Sequence, residues 1–169
     1  MPDDVRPVDA ETALAHAPPG HKVELRLWLR LLSCTRLIEA EIRRRLRIRF
    51  ATTLPRFDLM AQLARAPEGL TAGDVSRRMM VTGGNVTGLA TRLEEEGLIE
   101  RGTARDRRTV TLRLTSLGRR EFARQSAAHE TWIAELLDGL PASDRTTLLR
   151  LLDRARGSIR AALTTDPEP

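Results

Sequence analysis

The sequence predicts a mainly α-helical fold with one small β-hairpin. Two short helical patterns lie between Leu70 and Glu96, and an alternating strand pattern follows between Thr109 and Leu114. Longer helical patterns lie before and after this stretch. Helix, turn, helix and hairpin in that order are the parts of a winged helix-turn-helix lobe, which we expect to occupy residues 51–115.

The composition is that of one soluble, basic domain. The chain of 169 residues is long enough for one hydrophobic core, and 28 basic against 23 acidic residues give a formal net charge of +5. The single cysteine excludes a disulfide framework, and no apolar run approaches the roughly 18 residues that a membrane span needs. The first residues also lack the pattern of a signal peptide. We therefore expect a cytoplasmic protein with no membrane partner.

Metal, nucleotide and nucleophile motifs are missing from the sequence. The three histidines have no metal-ligand spacing and no cysteine partners. No serine lies in a nucleophile elbow, and no glycine loop is suited to a nucleotide. We expect neither a metal nor a cofactor, and no enzymatic activity.

Residues 21–50 are predicted to form one long helix, after an N-terminal arm at residues 1–20. Apolar residues recur along it in two interleaved stripes, so more than one face of the helix is apolar. The stripes comprise Leu25, Leu29 and Leu32 on one side and Leu27, Leu31, Cys34, Ile38 and Ile42 on the other. A helix that is apolar on two sides needs two partners, one of which we expect to be a second copy of the chain.

The C-terminal helices predict the same assembly. Thr115 is expected to cap a helix over Ser116–Leu137, and Ser143 is expected to cap the last helix, which ends near Leu163. The last helix has an apolar stripe that a single chain has too little remaining protein to cover. An obligate homodimer would bury this stripe.

Four parts of the chain follow from these patterns. Their boundaries lie at predicted caps and at helix-breaking residues. The parts are the arm (1–20), the dimerisation helices (21–50 and 116–163), the winged helix-turn-helix lobe (51–115) and a tail (164–169).

The first two helices of the lobe have N-terminal signals. Thr53 is expected to cap the first, with Pro55 in its first turn. Its core face comprises Phe57, Leu59, Met60, Leu63 and Ala64. Thr71 and Asp74 have the spacing of a capping box and are expected to open the next helix.

The second helix of the helix-turn-helix pair is the candidate for nucleic-acid recognition. We expect it to open at Thr82, whose side chain is positioned to cap the amides of Gly84 and Asn85. Its core face comprises Val86, Leu89, Ala90 and Leu93. The other face has small or amide-bearing side chains, which is the low profile that a helix in a major groove needs. An exposed helix face without a partner is the alternative interpretation.

A hairpin is predicted after Gly97, a residue suited to ending the preceding helix. Leu98–Arg101 is expected to begin its first strand. The second strand alternates between the core and the solvent. Its inward residues are predicted to be Val110, Leu112 and Leu114, and its outward residues Thr111 and Arg113.

The hairpin tip is strongly basic, with arginines at positions 105, 107 and 108. A protruding arginine suits phosphate contact or insertion in a minor groove, and we expect Arg107 or Arg105 to insert. Asp106 is expected to hold an arginine in position. Solvated surface arginine is the alternative. The predicted DNA-binding residues are Thr82, Gly84, Asn85, Thr87, Gly88, Thr91, Arg92, Arg105, Asp106, Arg107 and Arg108.

Four segments resemble, in order and spacing, the signature of the MarR (multiple-antibiotic-resistance regulator) family of bacterial transcription regulators. The segments are residues 82–89, 92–101, 106–108 and 114–119. Gly88 and Ala104 depart from the usual pattern, which bears on base preference and on the shape of the wing. The resemblance implies a homodimer with interlocking terminal helices, a palindromic operator of double-stranded DNA, and a ligand pocket between the dimerisation region and each DNA-binding lobe.

The end of the long helix has five arginines within residues 43–49. A solvated helix end is one interpretation, since the helix dipole also favours cations there. The other is an anion site near the ligand pocket, or an additional contact to the DNA backbone. The predicted ligand-binding residues are His21, Arg26, Trp28, Arg36, Arg43, Arg44 and Arg47.

Residues 25–65 also resemble the branch of the family that responds to aromatic acyl-coenzyme A thioesters such as hydroxycinnamoyl-CoA. Several arginines would suit the phosphates of such an effector. The resemblance implies a repressor of an aromatic-compound catabolic operon, released from DNA by an aromatic acyl-CoA or an aromatic acid. One alternative is a peroxide-sensing regulator through Cys34, which we expect instead to be a buried hydrophobic residue. The other is a helical protein-interaction adaptor without DNA binding.

Overall fold

The computed structural model describes residues 23–103 and 109–165. Within these ranges it has six helices and one antiparallel sheet of two strands, which confirms the predicted winged helix-turn-helix fold. The helices are α1 (Val23–Phe50), α2 (Leu54–Ala64), α3 (Ala72–Met79), α4 (Gly83–Glu95), α5 (Ser116–Leu136) and α6 (Ala142–Thr165), and the strands are β1 (Ile99–Thr103) and β2 (Val110–Leu114). The predicted N-terminal arm and His21 lie outside the described residues.

The chain divides into two compact units, with the boundary inside α5. The first unit ends at Glu130 and contains the helix-turn-helix pair and the hairpin. The second begins at Thr131 and contains α6. No helix in the described ranges is both long enough and apolar enough to cross a membrane.

The core of the first unit lies where α2, α3, α4 and the hairpin meet. Its buried residues are Leu59, Met60, Leu63, Leu70, Val75, Val86, Ala90, Leu93, Ile99, Leu112 and Leu114. Ala64, predicted for the core face of α2, is exposed because it lies at the last residue of the helix. Within α1, burial is confined to Ile42 and Leu46. The last turns of α1 thus anchor this long helix on the first unit.

In the helix-turn-helix pair, α3 begins with a side-chain capping box, whereas α4 begins without a side-chain cap. As predicted, Thr71 and Asp74 form a capping box: the Thr71 hydroxyl accepts from the Asp74 amide at 3.0 Å, and the Asp74 carboxylate accepts from the Thr71 amide at 3.3 Å. Thr82 lies at the N-cap position of α4, but its side chain makes no capping hydrogen bond. The prediction that it caps Gly84 and Asn85 is wrong, because the carbonyl oxygen of Thr82 already accepts from the Asn85 amide at 3.1 Å.

The hairpin completes the core beside α4. Ile99 of β1 lies opposite Leu114 of β2, and both are buried. Leu70, which precedes α3, forms a further antiparallel bridge with Leu112. The hairpin is thus tied by its backbone to the connection between α2 and α3.

The first two residues of β2 differ from the predicted alternation. Val110 is 52% exposed rather than buried, because it pairs with Thr103 at the end of the hairpin nearest the tip. Thr111 is buried rather than exposed, because it packs beside Gly69, where no side chain competes for the space. The remaining apolar positions of the strand are buried as predicted.

The two C-terminal helices begin differently. Thr115 caps α5 as predicted, since its hydroxyl oxygen accepts from the amide of Gly118 at 3.0 Å. Ser143 does not cap α6, because the helix already begins at Ala142 and Ser143 lies inside its first turn. The Ser143 hydroxyl instead donates to the carboxylate of Asp144 at 3.3 Å.

Most of the large apolar residues that are exposed in the single chain lie on two helices, α1 and α6. On α6 these are Leu148, Leu149, Leu151, Leu152, Ile159 and Leu163. On α1 they are Val23, Leu25, Leu27, Trp28, Leu37 and Ile48. Both helices therefore have the uncovered apolar surface from which the sequence predicted a second copy.

Candidate nucleic-acid interface

Helix α4 has one buried face and one exposed face. Val86, Ala90 and Leu93 are buried in the core. The predicted DNA-binding residues on or beside this helix are all exposed, namely Thr82, Gly84, Asn85, Thr87, Gly88, Thr91 and Arg92. A Cβ at Gly84 or Gly88 would meet no atom within 4 Å. The exposed face is low in profile and open, so a base edge or a nucleic-acid backbone can approach the helix closely.

The polar groups on this face have different hydrogen-bonding capacity. The Thr87 hydroxyl donates to the Gly83 carbonyl at 3.1 Å, and the Thr91 hydroxyl donates to the Thr87 carbonyl at 3.1 Å. Both hydroxyl hydrogens are therefore used within the helix, while the oxygens can still accept. Asn85 offers a donor and an acceptor together, which is the combination suited to an adenine edge.

Three contacts hold the C-terminal end of α4, and we call them the helix-end clamp. They are the ion pair between Arg101 and Glu94, the ion pair between Arg56 and Glu96, and the hydrogen bond from the Thr115 hydroxyl to the Gly97 carbonyl. Arg101 Nε lies 2.7 Å from Glu94 Oε2, and Thr115 Oγ1 lies 2.6 Å from the Gly97 oxygen. Gly97 has a left-handed φ of 70°, as expected for the residue that ends the helix. The clamp fixes the exposed face of α4 relative to α2 and the hairpin.

Sequence reasoning missed the helix-end clamp. Arg56 and Glu96 are separated by 40 positions, and no periodicity relates them. The sequence pattern assigned no role to the acids at the end of α4. Their partners, Arg56 of α2 and Arg101 of β1, lie near them only in the folded chain.

The basic wing tip lies outside the described residues. The predicted roles of Arg105, Asp106, Arg107 and Arg108 therefore stay predictions. The base of the wing is described, and there Arg101 is engaged by Glu94.

The arginines at the end of α1 are largely paired with acids of the same helix. Arg43 Nη2 lies 2.8 Å from Glu39 Oε2. Arg44 Nη2 and Arg45 Nε lie 2.7 and 2.6 Å from Glu41 Oε1. Hydrogen bonds from these two guanidinium groups lower the pKa of Glu41 to about 2, so Glu41 is ionised at neutral pH. Part of the positive charge is thus neutralised within the helix.

The predicted ligand-binding residues are spread along α1. Arg26, Trp28, Arg36, Arg43, Arg44 and Arg47 are all exposed. At roughly 1.5 Å of rise per residue, Arg26 and Arg47 lie about 30 Å apart along the helix. At about 100° per residue, Arg36, Arg43 and Arg47 share one face. One chain therefore brings three of these residues together and not the whole set.

Cys34 is exposed in the single chain, so the expectation of a buried hydrophobic residue is wrong there. The reason is that the N-terminal half of α1, where Cys34 lies, has no buried residue.

In the described ranges, no group of His, Cys, Asp and Glu side chains is arranged to hold a metal ion. Burial lowers the pKa of His129, whose ring centroid lies 5.0 Å from that of Phe57, so this imidazole is neutral at neutral pH.

A cleft of about 320 Å³ lies beside the helix-end clamp. Its lining includes Phe50, Arg56, Met60, Glu96, Glu121 and Gln125, which come from α1, α2, the end of α4 and α5. Two polar atoms of the lining residues, Arg56 Nε and Gln125 Oε1, are buried and have no hydrogen-bond partner among the described residues. None of the ligand-binding residues predicted from the sequence lines the cleft. Its lining comes from four separate segments, so a local pattern does not indicate it.

Similar proteins are transcription regulators. A family model described as MarR family matches residues 52–109. The crystal structure of a MarR family transcriptional regulator from Silicibacter pomeroyi is 34% identical and has a TM-score of 0.68, over 80% of this chain and 94% of that chain. CouR from Rhodococcus jostii, in a structure bound to p-coumaroyl-CoA, is 17% identical with a TM-score of 0.67, over 85% of this chain and 95% of that chain. The likeness to CouR is one of fold.

Curated relatives match over a shorter stretch. Uncharacterised HTH-type transcriptional regulators from Bacillus cereus and Bacillus thuringiensis are 35% identical over 92 residues, which is 54% of this chain. This chain spans 60% of the length of these relatives. The similarity to the Silicibacter pomeroyi structure, in contrast, extends over most of both chains.

Proposed function

Because this chain belongs to the MarR family of transcription regulators, we propose that it binds double-stranded DNA as a homodimer and responds to a small-molecule effector. We further propose that it represses an aromatic-compound catabolic operon and leaves its palindromic operator when the effector binds. The observation that carries the proposal is the exposed, low-profile face of α4 beside the hairpin, opposite a face that is buried in the core.

A homodimer matches two copies of α4 to the two halves of an operator. The recognition helices of such a dimer enter successive major grooves, about 10 base pairs apart from centre to centre. The exposed apolar residues of α1 and α6 support dimerisation, since an obligate interface is more apolar than an ordinary surface. Contacts from arginines to phosphates would supply much of the affinity, so binding is expected to weaken steeply with salt.

An aromatic acyl-CoA and an aromatic acid are the two effector classes we propose. Arg36, Arg43 and Arg47 on one face of α1 support a ligand with several phosphates. The cleft beside the helix-end clamp, lined by a single arginine, supports a compact acid. Either ligand must bind the DNA-incompetent state more tightly than the competent one. It achieves this by moving the two lobes or by neutralising arginines that DNA would use.

The effector proposal is tested on the protein–DNA complex. p-Coumarate and p-coumaroyl-CoA are titrated against the chain bound to DNA from beside its own gene. Release by the thioester alone would support the arginine face, and release by the acid alone would support the cleft. If neither ligand releases the DNA, the proposed effector class is wrong.

The DNA-binding proposal is tested with matched charge changes. The double substitution Arg107→Ala and Arg108→Ala removes two positive charges from the wing tip, and Arg150→Ala with Arg154→Ala removes two from α6. The wing variant is expected to lose operator affinity and to reduce the salt slope by about two, whereas the α6 variant retains both. Equal operator affinity of the two variants would exclude the wing tip from the interface, and dimers that bind no operator DNA even as the wild type would favour a protein-interaction adaptor.

A thiol-sensing regulator is a second candidate, because Cys34 is exposed on α1. An exposed thiol is open to oxidation, whereas a buried one is protected. Cys34→Ser separates this candidate from the effector proposal. A variant that keeps DNA binding but is no longer released by peroxide would support thiol sensing, and one released like the wild type would exclude it.

A further inference from the structure

The cleft beside the helix-end clamp combines an apolar wall with one cation. Phe50, Met60, Leu98 and Leu117 supply apolar lining, and Arg56 is its single basic residue. Its volume of about 320 Å³ lies near the lower limit of ligand pockets, which is roughly 300 Å³. A compact molecule with an apolar body fits this space better than a large one.

The acids of the lining have partners of their own. Glu121 Oε1 lies 2.9 Å from Arg124 Nη2 and accepts from the Gln125 amide at 2.8 Å. The Arg124 guanidinium lies 4.7 Å from the centroid of the Phe50 ring, so it is held by two neighbours. The second acid of the lining, Glu96, pairs with Arg56. Arg56 is thus the group whose exchange of partners would admit an anion.

Arg56 is incompletely satisfied by its present partner. It donates to Glu96 through Nη2, while its buried Nε has no hydrogen-bond partner among the described residues. The Arg56 side chain is 17% exposed, whereas that of Glu96 is 47% exposed. A carboxylate that binds Nε and Nη2 together in the bidentate geometry would satisfy both donors. Glu96 would then lose its partner to a group that fits the guanidinium better.

Loss of the Arg56–Glu96 ion pair would act directly on the recognition helix. Glu96 is the C-cap residue of α4, and the ion pair is the part of the helix-end clamp that reaches α2. The Arg101–Glu94 and Thr115–Gly97 contacts involve no residue that lines the cleft and would persist. The helix end would therefore shift about two remaining contacts rather than unfold.

We infer that Arg56 exchanges partners, binding Glu96 in the effector-free protein and the carboxylate of a compact monoanionic effector when that ligand is bound. This inference rests on the proposed function and assigns the regulation of the effector site to one positioning residue. Because the effector and Glu96 compete for one guanidinium, the effector has the preference for one state that a population shift requires.

The test uses the full chain without DNA, and benzoate and benzamide as probes of equal shape and different charge. Binding is measured by calorimetry. Benzoate is expected to bind. Benzamide is expected to bind at least about tenfold more weakly, because a neutral amide replaces the carboxylate that accepts from the Arg56 guanidinium. Arg56→Gln should reduce the affinity for benzoate by the same factor. Arg56→Lys provides the second variant if Arg56→Gln fails to fold.

The decisive variant is Glu96→Gln, with Glu95→Gln as its matched control on the same helix. Glu96→Gln removes the competitor, so benzoate affinity is expected to rise about two- to fivefold, the scale of a partly exposed ion pair, while operator affinity falls. Glu95→Gln removes the same charge from a side chain that neither lines the cleft nor belongs to the helix-end clamp, so its benzoate affinity should equal that of the wild type. A purely structural role for Glu96 would not strengthen ligand binding.

Two results would overturn the exchange: no benzoate binding by the wild type, or equal benzoate affinity of Glu96→Gln, Glu95→Gln and the wild type. Neither measurement contains DNA. If the chain showed the predicted benzoate affinities but did not bind operator DNA, the proposed function would be wrong and the partner exchange at Arg56 would still be supported.

Discussion

On the exposed face of α4, Gly88 has open space where a side chain would lie. Glycine inside a helix costs roughly 0.5–1 kcal/mol relative to alanine. The position therefore sacrifices helix stability, and close approach of a base edge to the backbone would explain why.

Gly88→Ala is expected to raise the free energy of unfolding by about 0.5–1 kcal/mol while weakening operator binding by about 1 kcal/mol or more, the scale of one lost base contact. Denaturant unfolding and DNA titration measure the two effects. Gly157→Ala in α6, also with open space around its Cβ, is the control and should show the first effect alone. If Gly88→Ala bound the operator as well as the wild type, Gly88 would lie outside the interface.

Single residues were predictable where a local pattern decides their environment. Val86, Ala90 and Leu93 repeat at helical spacing, and the core covers that side of α4. The alternation in β2 failed at Thr111 because its burial depends on Gly69, a residue far away in sequence. No period along one strand contains that information.

At the scale of elements, the start of α5 depends on a close approach to the loop before β1. A Cβ at Gly118 would overlap the Leu98 carbonyl oxygen and lie 2.8 Å from the carbonyl carbon. These are backbone atoms of a residue that is itself hydrogen-bonded, since the Leu98 carbonyl accepts from the Thr115 amide at 3.1 Å. The approach leaves no room for a side chain.

Gly118→Ala is therefore expected to lower the free energy of unfolding by about 1–3 kcal/mol, the usual cost of overpacking. The comparison is thermal or denaturant unfolding at one protein concentration. A Gly118→Ala variant as stable as Gly157→Ala would show that α5 does not pack this closely on the loop.

The end of α1 has a pH-dependent element in Glu41. Its pKa of about 2 lies below the ordinary value of 4.5, because Arg44 and Arg45 hydrogen-bond to the ionised carboxylate. A lowered pKa means that the stabilisation is fully present above about pH 4.5 and is lost as the pH falls towards 2.

Glu41→Gln lacks this contribution at every pH. The wild type should therefore be the more stable protein at about pH 7, and the difference between the two should shrink on acidification below about pH 4.5. Urea unfolding of both proteins across that range is the measurement. A difference that stayed constant with pH would contradict the assigned ion pairs.

At the scale of the whole molecule, the exposed apolar stripe of α6 has a direct consequence for assembly. Leu149→Glu together with Ile159→Glu places two charges in this stripe, and the homodimer is expected to dissociate. The reason is that each apolar side chain of this size contributes about 1.5–3 kcal/mol to association when the dimer interface buries it. Arg154→Glu lies on the opposite side of the helix and is the control. Analytical ultracentrifugation decides the outcome, and an intact dimer in the double variant would place the interface elsewhere.

The order of helices and strands could be predicted because each element has its own signal, such as the Thr71–Asp74 capping box and the left-handed Gly97. The exposed face of α4 followed from the same periodicity. The cleft and the helix-end clamp could not be predicted, because Arg56, Glu96 and Gln125 lie on different elements that only the fold brings together. The sequence pattern instead predicted a ligand site at the arginines of α1. In the structure, Arg43 and Arg44 form ion pairs with acids one turn away on the same helix.

The most direct test of DNA recognition through α4 is a binding titration on the promoter region beside the chain's own gene. Wild type and Asn85→Ala are compared on that duplex and on a shuffled duplex of equal length. Our prediction is that the wild type prefers the promoter and that Asn85→Ala loses this preference while keeping salt-dependent binding to both duplexes. Equal affinity of the wild type for the two duplexes would contradict it.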